Sequence, residues 1–105
     1  MILKERNAKK RKFLGISYYV LAFGEKSMIT RMNYKAGEYV PFHCHPNEQT
    51  GYIVSGKIRI RFSKYDEILH VGDSYSIPCE IEHIIEGLED STILDFFCPP
   101  RQDYL

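Results

Sequence analysis

The segment Lys57–Phe62 (KIRIRF) alternates strictly, with Ile58, Ile60 and Phe62 on one face and Lys57, Arg59 and Arg61 on the other. That period of two is the signature of a strand with one buried face. Similar short runs recur along the chain. Tyr18–Phe23 (YYVLAF) is apolar on both faces, Met28–Tyr34 alternates loosely, and Gln49–Val54 is apolar and aromatic; Glu67–Val71, Tyr75–Ile77, Ile81–Ile85 and Thr92–Cys98 follow. Gly37, Pro41, Pro46, Gly56, Gly72, Pro78, Gly87 and Pro99-Pro100 punctuate the runs. Val54-Ser55-Gly56-Lys57 fits a tight hairpin, and no stretch of ten residues repeats at helical spacing. The pattern predicts an all-β chain with the strand spacing of sandwiches and barrels.

Length sets the scale. The 105 residues and 12.3 kDa contain no apolar tract long enough to span a bilayer, so residues 1–105 are expected to form one domain with no membrane contact. Eight Tyr and six Phe with no Trp agree with β structure. Basic and acidic residues cancel at fourteen each, yet residues 1–12 hold six basic groups against Glu5, a local +5, which leaves −5 on the remainder. A body of that charge binds phosphate backbones poorly, so no nucleic-acid partner is expected. Residues 1–27 read as a basic, solvated leader and a first strand, residues 28–98 as the barrel, and residues 99–105 as a C-terminal tail. Three cysteines, Cys44, Cys79 and Cys98, are too few and too odd for a disulfide framework, and no apolar signal segment follows the basic start. A cytoplasmic location is expected, with the three thiols as small packing residues.

The chemistry concentrates at the histidines. If His43-Cys44-His45 is extended, both imidazoles share a face and can reach one metal ion while Cys44 points away. Gln49 stands four residues on, past the Pro46-Asn47 turn, and His83 lies in a later strand. His70, ahead of Gly72, reads as a surface residue.

The spacings carry a resemblance. Gly37-x5-His43-x-His45-x3-Gln49-x6-Gly56 resembles the first motif of the cupins, and Gly72-x5-Pro78-x-Glu80-x2-His83-x3-Gly87 the second, with fifteen residues between. Gln49 replaces the usual Glu, Glu80 a Gly and Gly87 an Asn. Cupins are jelly-roll barrels, so the resemblance implies a double-stranded β-helix. Over residues 28–105 the likeness is closest to pectin-degradation cupins of the KdgF type. It rests on His45-Pro46-Asn47-Glu48-Gln49, Val71-Gly72-Asp73-Ser74, and the ending from Asp95-Phe96-Phe97-Cys98 through Arg101 to Leu105. It implies ring opening of 4,5-unsaturated uronate monosaccharides to linear ketouronates. It further implies that His43, His45, Gln49 and His83 hold a metal, that Asp95 and Arg101 are catalytic, and that Phe97 and Arg101 bind substrate.

The residues themselves add chemical reasons. Three neutral imidazoles and an amide leave the charge of a divalent metal (Ni, Zn, Mn, Fe, Co or Cu) uncompensated, which favours a small anionic substrate. Asp95 shares a face with Ile93 and Phe97, which makes it either a proton-transfer group or half of a buried ion pair with Arg101 or an arginine of KIRIRF. Arg101 either grips a carboxylate or pairs with Asp103. Two other functions fit the same residues: a metal-dependent dioxygenase of the quercetinase kind, or a ligand-binding regulatory protein without turnover. Leu94 and Phe96 should point away from the Asp95 face, and covering them predicts a homodimer.

Overall fold

The computed structural model describes residues 1–105. Ten strands form two antiparallel sheets: β1 (Lys10–Phe13), β2 (Ile16–Phe23), β3 (Met28–Tyr34), β4 (Tyr39–His43), β5 (Glu48–Ser55), β6 (Lys57–Phe62), β7 (Tyr65–His70), β8 (Ser74–Ile77), β9 (His83–Gly87) and β10 (Ser91–Cys98). The six-stranded sheet runs β1-β2-β3-β10-β5-β8 and the four-stranded sheet β4-β9-β6-β7. From β3 onward the chain crosses between the sheets at every step except the β6–β7 hairpin, giving the all-β jelly roll expected from the pattern. No helix is long and apolar enough to cross a membrane.

Period-two burial drives the assembly. Ile58, Ile60 and Phe62 of β6 face inward against Ile53, Ile77, Ile85 and Ile93, while Lys57, Arg59 and Arg61 face out. Arg59 pairs there with Asp66 at 2.8 Å, so the alternating charged face is solvated. At Gly56 (φ +88°) the β5–β6 turn is left-handed, and a Cβ would strike the Ser91 side chain and the Asp90 carbonyl.

Several boundaries differ from the pattern. β7 begins at Tyr65 instead of Glu67 because a two-residue turn, with Ser63 at φ +50°, follows β6 with no glycine to announce it. β9 begins at His83, not Ile81: Glu80 turns the chain at φ +63° and Ile81 packs against the core outside the ladder. Two strands carry too little alternation to be read. β4 is interrupted by Pro41, and β1 lies inside the basic leader. That leader is therefore not simply solvated, since Lys10–Phe13 pairs with Ile16–Tyr19 and Arg11 Nη1 donates to the Tyr104 carbonyl at 2.6 Å. Its lysines and arginine line an outer edge strand, where charge discourages further pairing. The cysteines correct another expectation: Cys44, Cys79 and Cys98 are all exposed and unpaired, because each sits in or beside a turn or at a strand end.

Candidate functional site

The site begins with an irregularity in β4. Val40 pairs with Ile85 and His43 with His83, so three steps on β4 match two on β9. Without the bulge at Pro41-Phe42, His43 would lie an odd number of residues from inward-facing Val40 and point out. The bulge turns it inward, opposite His83. His45 lies just beyond the end of β4, and the alternation continues through it: Cys44 is exposed, His45 is buried, and Glu80 N–H donates to the His45 carbonyl at 2.9 Å before the bend at Pro46-Asn47.

His43, His45 and His83 converge, with one ring nitrogen of each lying within 4.8 Å of the other two. Ring centroids are 4.4 Å apart for His43–His83 and 5.0 Å for His45–His83. Each Nδ1 lies 2.9 Å from a backbone carbonyl: Pro41 for His43, Asn47 for His45 and Ile81 for His83. A carbonyl only accepts, so each Nδ1 carries the proton and each Nε2 keeps a lone pair. Burial lowers the pKa of all three, His83 to about 4, which keeps the imidazoles neutral. This is the donor chemistry a transition metal requires.

Gln49 enters from β5. Its Nε2 donates to Asp95 Oδ1 at 3.0 Å, which turns its Oε1 toward His45 Nε2 at 2.9 Å. Two acceptors face each other there, an arrangement that a shared cation resolves. The set of three imidazole nitrogens and one amide oxygen therefore fits a divalent metal.

Asp95 lies on β10, 2 % exposed. It makes neither of the ion pairs weighed from sequence. Its Oδ1 accepts from Gln49 Nε2 and the Tyr75 hydroxyl, whereas Oδ2 bonds to no protein donor. No buried side-chain oxygen in the protein lacks a partner, so Oδ2 opens onto the cavity. Burial raises its pKa to about 6, although both hydrogen bonds favour the charged form.

Arg101 lies in the tail, 5 % exposed, with Tyr104, Phe13 and Phe97 rings 4.1, 5.1 and 5.4 Å from its guanidinium carbon. Its Nε and Nη2 donate to Asp103 at 3.2 and 2.6 Å, and Nη1 donates to the Tyr104 hydroxyl at 3.1 Å. The pairing with Asp103 is thus real, yet it takes only part of the fork. Of five guanidinium N–H groups these contacts use three, leaving two for a second anion. Asn47 Nδ2 anchors the same tail by donating to the Pro99 carbonyl at 2.6 Å.

A small cavity brings these groups together. His43, Gln49, His83, Asp95, Phe97 and Arg101 all line it. His45 borders the cluster against the Phe97 ring, centroids 5.6 Å apart. Sequence reasoning missed Phe13, Tyr34 and Tyr104 in the wall and Tyr75 behind Asp95. For Phe13, Tyr34 and Tyr75 the only available signal was parity on strands whose roles were unassigned, and Tyr104, in the 3-10 turn of the tail, offered none.

The profile of the cupin domain matches residues 30–98. The chain is a cupin. Among proteins similar to this cupin is the pectin degradation protein KdgF of Dickeya dadantii (strain 3937), 25% identical over 93 residues, covering 87% of this chain and 84% of the relative. The structure of KdgF from Halomonas sp. superposes with a TM-score of 0.91 at 25% identity, covering 100% of both chains. An RmlC-like cupin from Shewanella frigidimarina superposes at 0.92 with 21% identity, covering 99% of this chain and 95% of its own.

Proposed function

We propose that this cupin binds one divalent transition metal through His43, His45, Gln49 and His83, and opens 4,5-unsaturated uronate monosaccharides to linear ketouronates. The observation that carries the reading is the one cavity in which a neutral four-donor cluster, a carboxyl with one free oxygen and a guanidinium with two free donors stand together. Likeness to two proteins called KdgF, one of them named for pectin degradation, supports the substrate class.

The reaction is an isomerisation. The hydroxyl proton on C1 leaves, the C1–ring-oxygen bond breaks as C1 becomes an aldehyde, and the electron pair passes to the ring oxygen as an enolate on C5. C4 then takes a proton and C5 becomes a ketone, so no net proton or electron is consumed. Arg101 Nη1 and Nη2 hold the substrate carboxylate and fix the ring in the cavity. Asp95 Oδ2 takes the C1 proton and returns one to C4, as general base and then general acid. Phe97 walls the cavity beside His45 and Arg101 and excludes water from the opening ring. The metal, when bound, supplies Lewis acidity that stabilises negative charge next to the carboxylate. Three unpaired thiols accord with a reducing compartment such as the cytoplasm.

The test is metal analysis of the purified protein, followed by loss of the ultraviolet absorbance of the conjugated uronate against its spontaneous opening. Acceleration above background supports the reading. An unchanged rate with each of Ni, Zn, Mn, Fe, Co and Cu loaded in turn refutes it.

A further inference from the structure

Asp95, Gly51 and Tyr75 form one cross-strand row. Asp95 of β10 pairs with Gly51 of β5, and Gly51 pairs with Tyr75 of β8. Neighbouring strands lie about 4.8 Å apart, so the backbones at Asp95 and Tyr75 are separated by about 10 Å. A carboxyl and a residue two strands away do not ordinarily meet. Here they do, because the central position has no side chain: a Cβ at Gly51 would collide with Cζ, the hydroxyl and Cε1 of Tyr75. The ring lies across the glycine and its hydroxyl donates to Asp95 Oδ1.

Gln49, two residues before Gly51 on the same inward face, donates to that same oxygen. One carboxyl oxygen is therefore held from two directions and the other is left to the cavity. Tyr75 also lines a separate open cleft with Ile60, Phe62 and Leu69.

We infer that Tyr75 is a positioning residue for Asp95: reaching across Gly51, its hydroxyl locks the carboxyl so that Oδ2 alone meets the ligand. The inference rests on the role proposed for Asp95. It makes Gly51 a requirement of the site as well as of the strand, since any side chain there would displace the phenol.

Tyr75→Phe tests it, because phenylalanine keeps the ring and removes only the hydroxyl. In the metal-loaded protein the expected result is a fall in kcat of about 10-fold or more, the scale of a lost hydrogen bond to a charged group, with KM and metal content unchanged. Adding Tyr75→Phe to Asp95→Asn should cost nothing further. Gly51→Ala should lower kcat with the hydroxyl still present. A readout independent of turnover is the carboxyl ¹³C resonance of Asp95 in zinc-loaded, ¹³C-aspartate protein, assigned by its loss in Asp95→Asn. At a single pH that resonance should broaden or split in Tyr75→Phe, as a carboxyl that has lost one of its two anchors samples a second orientation.

Wild-type kcat in Tyr75→Phe would overturn the inference, as would a change confined to KM or a loss of metal. Should the wild-type protein leave uronates unopened, the role of Asp95 in that reaction falls, and the ¹³C comparison still judges the positioning: a broadened or split resonance upholds it and an unchanged one ends it.

Discussion

His45 Nε2 and Gln49 Oε1 stand 2.9 Å apart with lone pair facing lone pair. Neither orientation is free: the Asn47 carbonyl fixes the imidazole proton on Nδ1, and Asp95 fixes the amide nitrogen on its own side.

From this pair follows the expectation of one metal per chain, with donor atoms about 2.0–2.3 Å from the ion. Metal should raise the melting temperature, by preferential binding to the folded state, and chelation should reverse the rise. His83→Ala should lose the metal while retaining the β-sheet circular dichroism. Elemental analysis after loading and desalting is the check; a folded wild-type protein that retains no metal counts against the site.

Asp95→Asn should keep metal and fold yet lower the uronate-opening rate by about 100-fold or more, the range of a general acid or base. Full activity in this variant would remove Asp95 from the chemistry. Arg101→Ala should chiefly raise KM, and it should also lower the melting temperature, since the guanidinium ties Asp103 and Tyr104 into the tail.

Asp103, the exposed partner of buried Arg101, has its own pH dependence. Burial raises the Asp103 pKa, but the Arg101 hydrogen bond and charge outweigh it and hold the carboxyl below its usual value of 3.8. A lowered folded-state pKa stabilises above 3.8 and is lost as pH falls through the folded value. Asp103→Asn should therefore lower the denaturant midpoint at pH 7, by an amount that shrinks toward zero as pH falls through the lowered folded-state pKa. A constant difference across that range would assign the effect to packing.

Glu80 occupies the left-handed region at φ +63° where the cupin pattern favours glycine, and its N–H holds His45 in place. Glu80→Gly should relieve that strain and stabilise the protein by up to about 1 kcal/mol, or several degrees in melting temperature. A lower melting temperature would show that the Glu80 side chain contributes more than its backbone costs.

Leu94 pairs with Tyr52 and Phe96 lies beside Ile29 on the outer face of the six-stranded sheet; Tyr52 is 45% exposed and the others half-buried. Covering this face in a homodimer predicts about 25 kDa by light scattering, twice the 12.3 kDa chain. Phe96→Lys should return it to about 12 kDa. A wild-type monomer at micromolar concentration refutes the dimer.

Period-two alternation made β3 and β6 legible to the residue, and the inward parity of Asp95 and Phe97 with them, because burial on one sheet face leaves its imprint in local order. Motif spacing brought out the three histidines and Gln49. What sequence alone determined was therefore the all-β class and the inventory of donors. Tertiary structure decided the rest. A bulge at Pro41-Phe42 turns His43 inward against the parity of its strand, the charged strand β1 carries Phe13 into the cavity, and a glycine lets Tyr75 reach Asp95 from two strands away. Each depends on which strands become neighbours, and neighbours across a sheet are set by the closure of the whole jelly roll, a long-range condition that no local pattern encodes.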